Sequence, residues 1–111
     1  MYYTGSIPPA SIYETWQESI EITSADDGQY VDLSPATEIT LRVRDPITNL
    51  DDLVITKSDG SITVPSLGII QWKVDTDHMG TLQIKLYRLI LVLKINGDEI
   101  SLIIGSVSIV E

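Results

Sequence analysis

The chain has no cysteine, no phenylalanine and a single histidine, and no lysine or arginine occurs before Arg42. Each gap excludes something. Without cysteine there is no disulfide framework and no thiolate zinc site. Without phenylalanine, and with aromatics at 6%, a core has to be built from Ile, Val and Leu. His78 is the only imidazole a catalytic triad could use, and no serine lies in a G-x-S-x-G elbow. No glycine-rich phosphate loop is present either. The early lack of cations leaves Glu14, Glu18, Glu21, Asp26, Asp27, Asp32 and Glu38 unopposed, and the formal net charge is −9. A nucleic-acid binder needs clustered cations against phosphate, so that class is set aside. The apolar stretch Leu86–Ile95 is strand-length and broken by Arg88 and Lys94, so it does not read as a membrane span, and no basic-plus-apolar leader opens the chain. Synthesis in the cytosol of the producing cell is expected, with neither nucleic acid nor membrane as partner.

What remains is a chain of 111 residues, 43% apolar, with Ile, Val, Thr and Leu predominating. That composition suits pleated, half-buried surfaces in one domain. The strongest local signal is LQIKLYRLILVLKINGDEISLIIGSVSIVE, Leu82–Glu111, in which Asn96-Gly97 joins two alternating apolar runs. A two-residue loop sets Leu93 opposite Ile100, Leu91 opposite Leu102, Leu89 opposite Ile104, and Lys94 opposite Glu99. Apolar residues meet apolar residues on that face, whereas a one-residue slip would mix the two faces. The reverse face carries Arg88, Ile90, Val92 and Lys94, together with Ile103, Val107 and Ile109. It is too apolar for a free surface and predicts an interface.

Before the hairpin the chain reads as short strands between turns. Residues 1–14 show neither period; Pro8-Pro9 forbids helix and ladder, and Tyr2 and Tyr3 supply anchors, so an extended N-terminal arm is expected ahead of a domain over 15–111. Trp16, Ile20 and Ile22 share one face of Thr15–Thr23, with Glu18 marking an edge or a bulge. Strands follow at Tyr30–Leu33, Glu38–Arg44, Leu53–Thr56, Ile62–Val64 and Ile69–Val74, with Pro65 confining its strand to an edge or an end. Asp75 or Thr76 caps a single helical turn within 75–82. About seven or eight strands, with turn signals every eight to twelve residues, define an antiparallel β-sandwich. Tyr87, placed after the helical turn, suits a tyrosine corner of the immunoglobulin-like kind.

Chemistry is sparse. Asp75, Asp77 and His78 form the densest polar cluster, but supply no nucleophile, and helix capping explains Asp75. Asp26-Asp27-Gly28, Asp51-Asp52 and Asp59-Gly60 hold hard oxygen ligands without the spacing of a calcium loop. Trp16 and Trp72 could stack a ligand, although both lie on the apolar parity of their strands. No enzyme and no cofactor or metal is expected.

Taken together, Thr15-Trp16, Asp27-Gly28, Val31-Asp32-Leu33-Ser34, Val43-Arg44-Asp45, Asp59-Gly60-Ser61-Ile62, Gly68-Ile69-Ile70, Met79 and Leu82 ahead of Tyr87, and Ile103–Ile109 resemble small β-sandwich proteins of tailed bacteriophages and prophages. The pattern is similar to the immunoglobulin-like N-terminal domain of baseplate upper proteins, over residues 15–111. Two departures are Leu86, where that family has glycine before the tyrosine, and the Pro-containing arm. The resemblance implies a non-enzymatic virion protein, an accessory or adaptor subunit at the capsid, neck or tail and baseplate. It would bind other virion proteins, as a homo-oligomer or in many copies. The interface expected on these grounds comprises Tyr2, Tyr3, Pro8, Pro9, Ile90, Val92, Ile103, Val107 and Ile109. The alternative is a carbohydrate- or ligand-binding β-sandwich module, with calcium in the Asp-rich turns.

Overall fold

A computed structural model describes residues 2–4 (backbone only), 7–24 and 26–111. Among the described residues nine strands and one helical turn follow in order: β1 (Tyr2–Thr4), β2 (Ala10–Ser11), β3 (Trp16–Thr23), β4 (Ala36–Arg44), β5 (Asp51–Thr56), β6 (Ile62–Ser66), β7 (Ile69–Val74), α1 (Thr76–Met79), β8 (Leu86–Ile95) and β9 (Asp98–Val110). They form two sheets, β1-β3-β7-β6 and β2-β9-β8-β4-β5. All pairings are antiparallel except β2 with β9.

Alternation explains how the sheets meet. Trp16, Ile20, Ile22, Ile70, Trp72 and Val74 point inward from the first sheet, and Ile39, Leu41, Val43, Leu89, Leu91 and Leu93 from the second; all are buried. Each such side chain contributes about 1.5–3 kcal/mol on leaving water, so the two inner faces supply the main drive to fold. Trp16 and Trp72 pack edge to face with ring centroids 5.5 Å apart. Asp75 caps α1 by accepting from the backbone N–H of His78 at 2.9 Å, and Met79 and Leu82 plug the end of the sandwich. The Tyr87 hydroxyl accepts from the backbone N–H of Gln83 at 3.0 Å and donates to Asp52 at 2.8 Å, locking the entry to β8.

The N-terminal segment lends a strand to each sheet. β1 pairs with the last three residues of β3, and β2 runs beside the end of β9 with Ala10 in the core. Pro8 and Pro9 lie exposed between them, at the crossing from one sheet to the other, where no ladder needs their missing N–H. The side chains of Tyr2 and Tyr3 lie outside the described residues. Tyr30–Leu33 is not a strand: Tyr30 makes one bridge to Thr23, and Asp32 then accepts from the N–H of Ser34 and turns the chain. Pro65 lies on β6, an edge strand whose register shifts between Thr63 and Ser66. Glu18 lies on the part of β3 that β1 does not reach.

The hairpin register holds from its turn to the pair Ile90–Ile103, with Asn96 and Gly97 both at positive φ (54° and 82°), as a type I′ turn requires. Then it shifts. Leu89 faces Gly105 and Arg88 faces Ser106, so Ile104 is an extra residue in a β-bulge, with Gly105 at φ 128°. The bulge resets the parity of β9. Val107 and Ile109, expected on the reverse face, are therefore buried in the core (0% and 1% exposed) and are removed from the candidate interface.

Candidate partner-binding face

The outer face of the five-stranded sheet is built from the outward positions of β5, β4, β8 and β9. Backbone pairing aligns them in rows. Val54, Arg42, Ile90 and Ile103 form one continuous row across four strands, and Thr56, Thr40, Val92 and Ser101 form the next. Ile103 is 72% exposed and Val54 42%, while Ile90 and Val92 are half-buried by their neighbours. Leu86 adds further exposed apolar surface toward the start of β8. A row of this kind is what the outside of an antiparallel sheet lacks when it faces only water.

Charge frames the row. Arg42, Arg44, Arg88 and Lys94, four of the seven cations in a chain of net charge −9, occupy outward positions of β4 and β8. Asp51 ties two of them down, with Arg44 Nε at 2.7 Å and Arg42 Nη1 at 2.9 Å. Burial pushes the Asp51 carboxyl upward, but the two guanidiniums outweigh it and hold its pKa below the ordinary value. Arg88 faces Arg44 across the strands and makes no ion pair among the described residues. Like charges set opposite each other are unfavourable. A carboxylate brought by a partner would relieve that pair.

Among the residues singled out in the sequence, the fold brings Ile90, Val92 and Ile103 together on this face. Pro8 and Pro9 are exposed on a separate crossing segment. Val54, Arg42 and Leu86 were not anticipated. Val54 was hidden inside the apolar run Leu53–Ile55, where only the parity of β5 distinguishes its direction.

The other candidate chemistry is accounted for by local structure. Asp75 and His78 do meet, Oδ1 to Nδ1 at 2.6 Å, but their side chains are 63% and 64% exposed. Donation by the His78 N–H and by its ring lowers the Asp75 pKa, and Asp75 in turn raises that of His78. A solvated pair already committed to capping a helical turn is poorly placed for acid–base work. In the turns, Asp27 accepts from Gln29 N–H and Asp59 from Ser61 and Thr56 N–H, while Asp52 holds Tyr87. No group of three or more His, Cys, Asp or Glu is placed to hold a metal ion among the described residues. Trp16 and Trp72 are closed into the core, so neither offers a ring to a ligand. A cleft of about 480 Å³ is lined by Asp32, Ser34, Lys57, Ser66 and Leu67, and Asp32 is already engaged by the N–H of Ser34.

Comparison with known proteins adds the fold alone. No family model and no curated protein matches the sequence. The solved structure of the endo-β-1,4-mannanase from Thermotoga petrophila is similar over 99% of this chain, with a TM-score of 0.60 and 13% identity. The match spans only 19% of that mannanase chain, so it concerns one portion of a much larger protein.

Proposed function

We propose that this chain is a non-enzymatic, immunoglobulin-like β-sandwich that serves as an accessory or adaptor subunit of a tailed-bacteriophage virion. It would dock on other virion proteins through the outer face of its five-stranded sheet. The observation that carries the docking role is the continuous row Val54–Arg42–Ile90–Ile103, with Arg88 beside it making no ion pair among the described residues. The immunoglobulin-like reading is supported by the order β1-β3-β7-β6 against β2-β9-β8-β4-β5, by the parallel pairing of β2 with β9, and by the Tyr87 hydroxyl bonded four residues back to Gln83. The virion context is supported by the sequence resemblance. The sugar-binding alternative is weakened by the burial of both tryptophans, the rings such a site would stack against.

Mass spectrometry of purified particles from the producing bacterium tests the virion role directly. Detection in stoichiometric amounts is expected, and absence from particles would overturn it. Ile90→Lys and Val92→Lys test the face: each should give a folded chain that no longer enters particles. Normal incorporation would move the interface elsewhere.

A further inference from the structure

The four edges of the two sheets are not alike. An unpaired strand edge is a template for another chain, and folded proteins usually blunt it with proline, charge, shortness or a bulge. β6 carries Pro65 and an irregular register. β5 opens with Asp51 and Asp52, and β1 is three residues long. β9 differs. Only Ala10 and Ser11 pair with its outer side, at Ile109 and Val110, so no strand hydrogen-bonds to the outer edge of Asp98–Ser108 among the described residues. From Ile100 to Val110 it carries no charged residue and no proline. The bulge at Ile104 bends the strand and leaves Asp98–Ile103 as its regular stretch.

We propose that this stretch of β9 pairs antiparallel with the same stretch of a second copy of the chain, centred on Ser101. Self-pairing needs faces and charges that match their own reflection, and this register supplies both. Ile100 would lie opposite the second copy's Leu102, and Leu102 opposite its Ile100. Both are core-facing residues left half-buried at the rim of the sheet. On the outer side Glu99 would face the second copy's Ile103, so no carboxylate opposes a carboxylate. The two Glu99 residues, four positions apart along the strands, are separated by about 13 Å. That exceeds the screening length of about 8 Å at physiological salt, and Lys94 lies opposite each Glu99 within its own hairpin. Asp98 and Glu99 are the acidic residues that each copy brings to the paired stretch, and neither faces a carboxylate of the other copy. The two five-stranded sheets become one sheet of ten, and the isologous contact closes after two copies.

Sedimentation velocity over a concentration series tests the pairing on the whole chain. A monomer–dimer equilibrium is expected. Ile103→Glu sets a carboxylate against the second copy's Glu99 and should raise the dissociation constant about tenfold or more, whereas Ile103→Lys should leave it unchanged or lower it. Ile103 is mostly exposed, so both variants keep the fold, as circular dichroism will show. A monomer at every concentration, growth beyond the dimer, or equal weakening by both substitutions would each overturn the pairing. None of these outcomes bears on the presence of the chain in particles, which the mass spectrometry decides separately.

Discussion

The two halves of β9 are both rich in aliphatic residues and have opposite fates. Beyond Gly105, Val107 and Ile109 are sealed in the core, β2 closes the strand edge at Ile109 and Val110, and Tyr87, Lys85 and Asp45 fasten the neighbouring start of β8. Before Ile104, Ile103 stands in solvent, Ile100 and Leu102 are half-covered, and the edge is open. One extra residue separates them. The contrast teaches that hydrophobicity alone does not divide fold from surface in this hairpin; the side-chain period does, and a bulge reverses which residues it selects.

Placing the same charge in each half should break the symmetry most sharply. Val107→Glu buries a carboxylate with no partner in the core and is expected to cost about 4 kcal/mol or more, enough to unfold a domain of ordinary stability. Ile103→Glu, four residues earlier, should change stability by less than about 1 kcal/mol. Urea denaturation of the two variants measures the difference directly. Similar losses would mean that the bulge is not where the pairing places it.

The same residues show what the sequence made legible. The turn at Asn96-Gly97, the inward faces of β3, β4, β7 and β8, the cap at Asp75 and the role of Tyr87 all follow from local chemistry, because each depends on residues a few positions apart. Ile90, Val92 and Ile103 were placed outward by the same period. The end of β9 was not legible. Leu89 opposite Ile104 is as apolar a match as the hairpin offers, so counting pairs gives no reason to insert a residue. Gly105 within a strand is the one local sign of a bulge. The docking row needed more than period, since Val54 and Arg42 join Ile90 and Ile103 only through pairings between strands far apart in sequence. Tyr30–Leu33 failed as a strand because the Ser34 N–H donates to the Asp32 carboxylate and turns the chain, leaving Leu33 buried without a ladder.

Deleting Gly105 sharpens the comparison with a smaller effect. Without it, Ile100, Leu102, Ile104, Val107 and Ile109 alternate inward with no interruption, and the pairing runs unbroken from the turn to the base. The shortened chain should fold with stability within about 2 kcal/mol of the parent, since a bulge twists a strand but adds no buried contact of its own. Hydrogen exchange should still protect the amides of Val107 and Ile109. An unfolded product would show that the twist supplied by the bulge is needed to close the sandwich.

Acid should distinguish the two halves by the smallest margin. Asp45 is held below its ordinary pKa chiefly by Lys85, with help from the backbone N–H of Ile47. Asp51 is likewise lowered, its burial outweighed by Arg44 and Arg42. Both lie at the base end, on or beside β4 and β5. A carboxylate whose folded pKa is lowered stabilises the native state above its ordinary value, and that contribution is lost as the pH falls through the folded one. The denaturation midpoint should therefore decline on acidification into that window, less steeply in Asp45→Asn, which has no proton to take up at this position. Toward the tip Glu38, opposite Lys94, is also lowered, but chiefly by the Ser58 hydroxyl rather than by a cation, and neither Asp98 nor Glu99 makes an ion pair among the described residues. Amides of β9 beyond Gly105 should accordingly lose exchange protection on mild acidification before those beside Leu91 and Leu93. Equal loss along the whole hairpin would mean that acid opens it as one unit and that the ion pairs at its base fasten both ends alike.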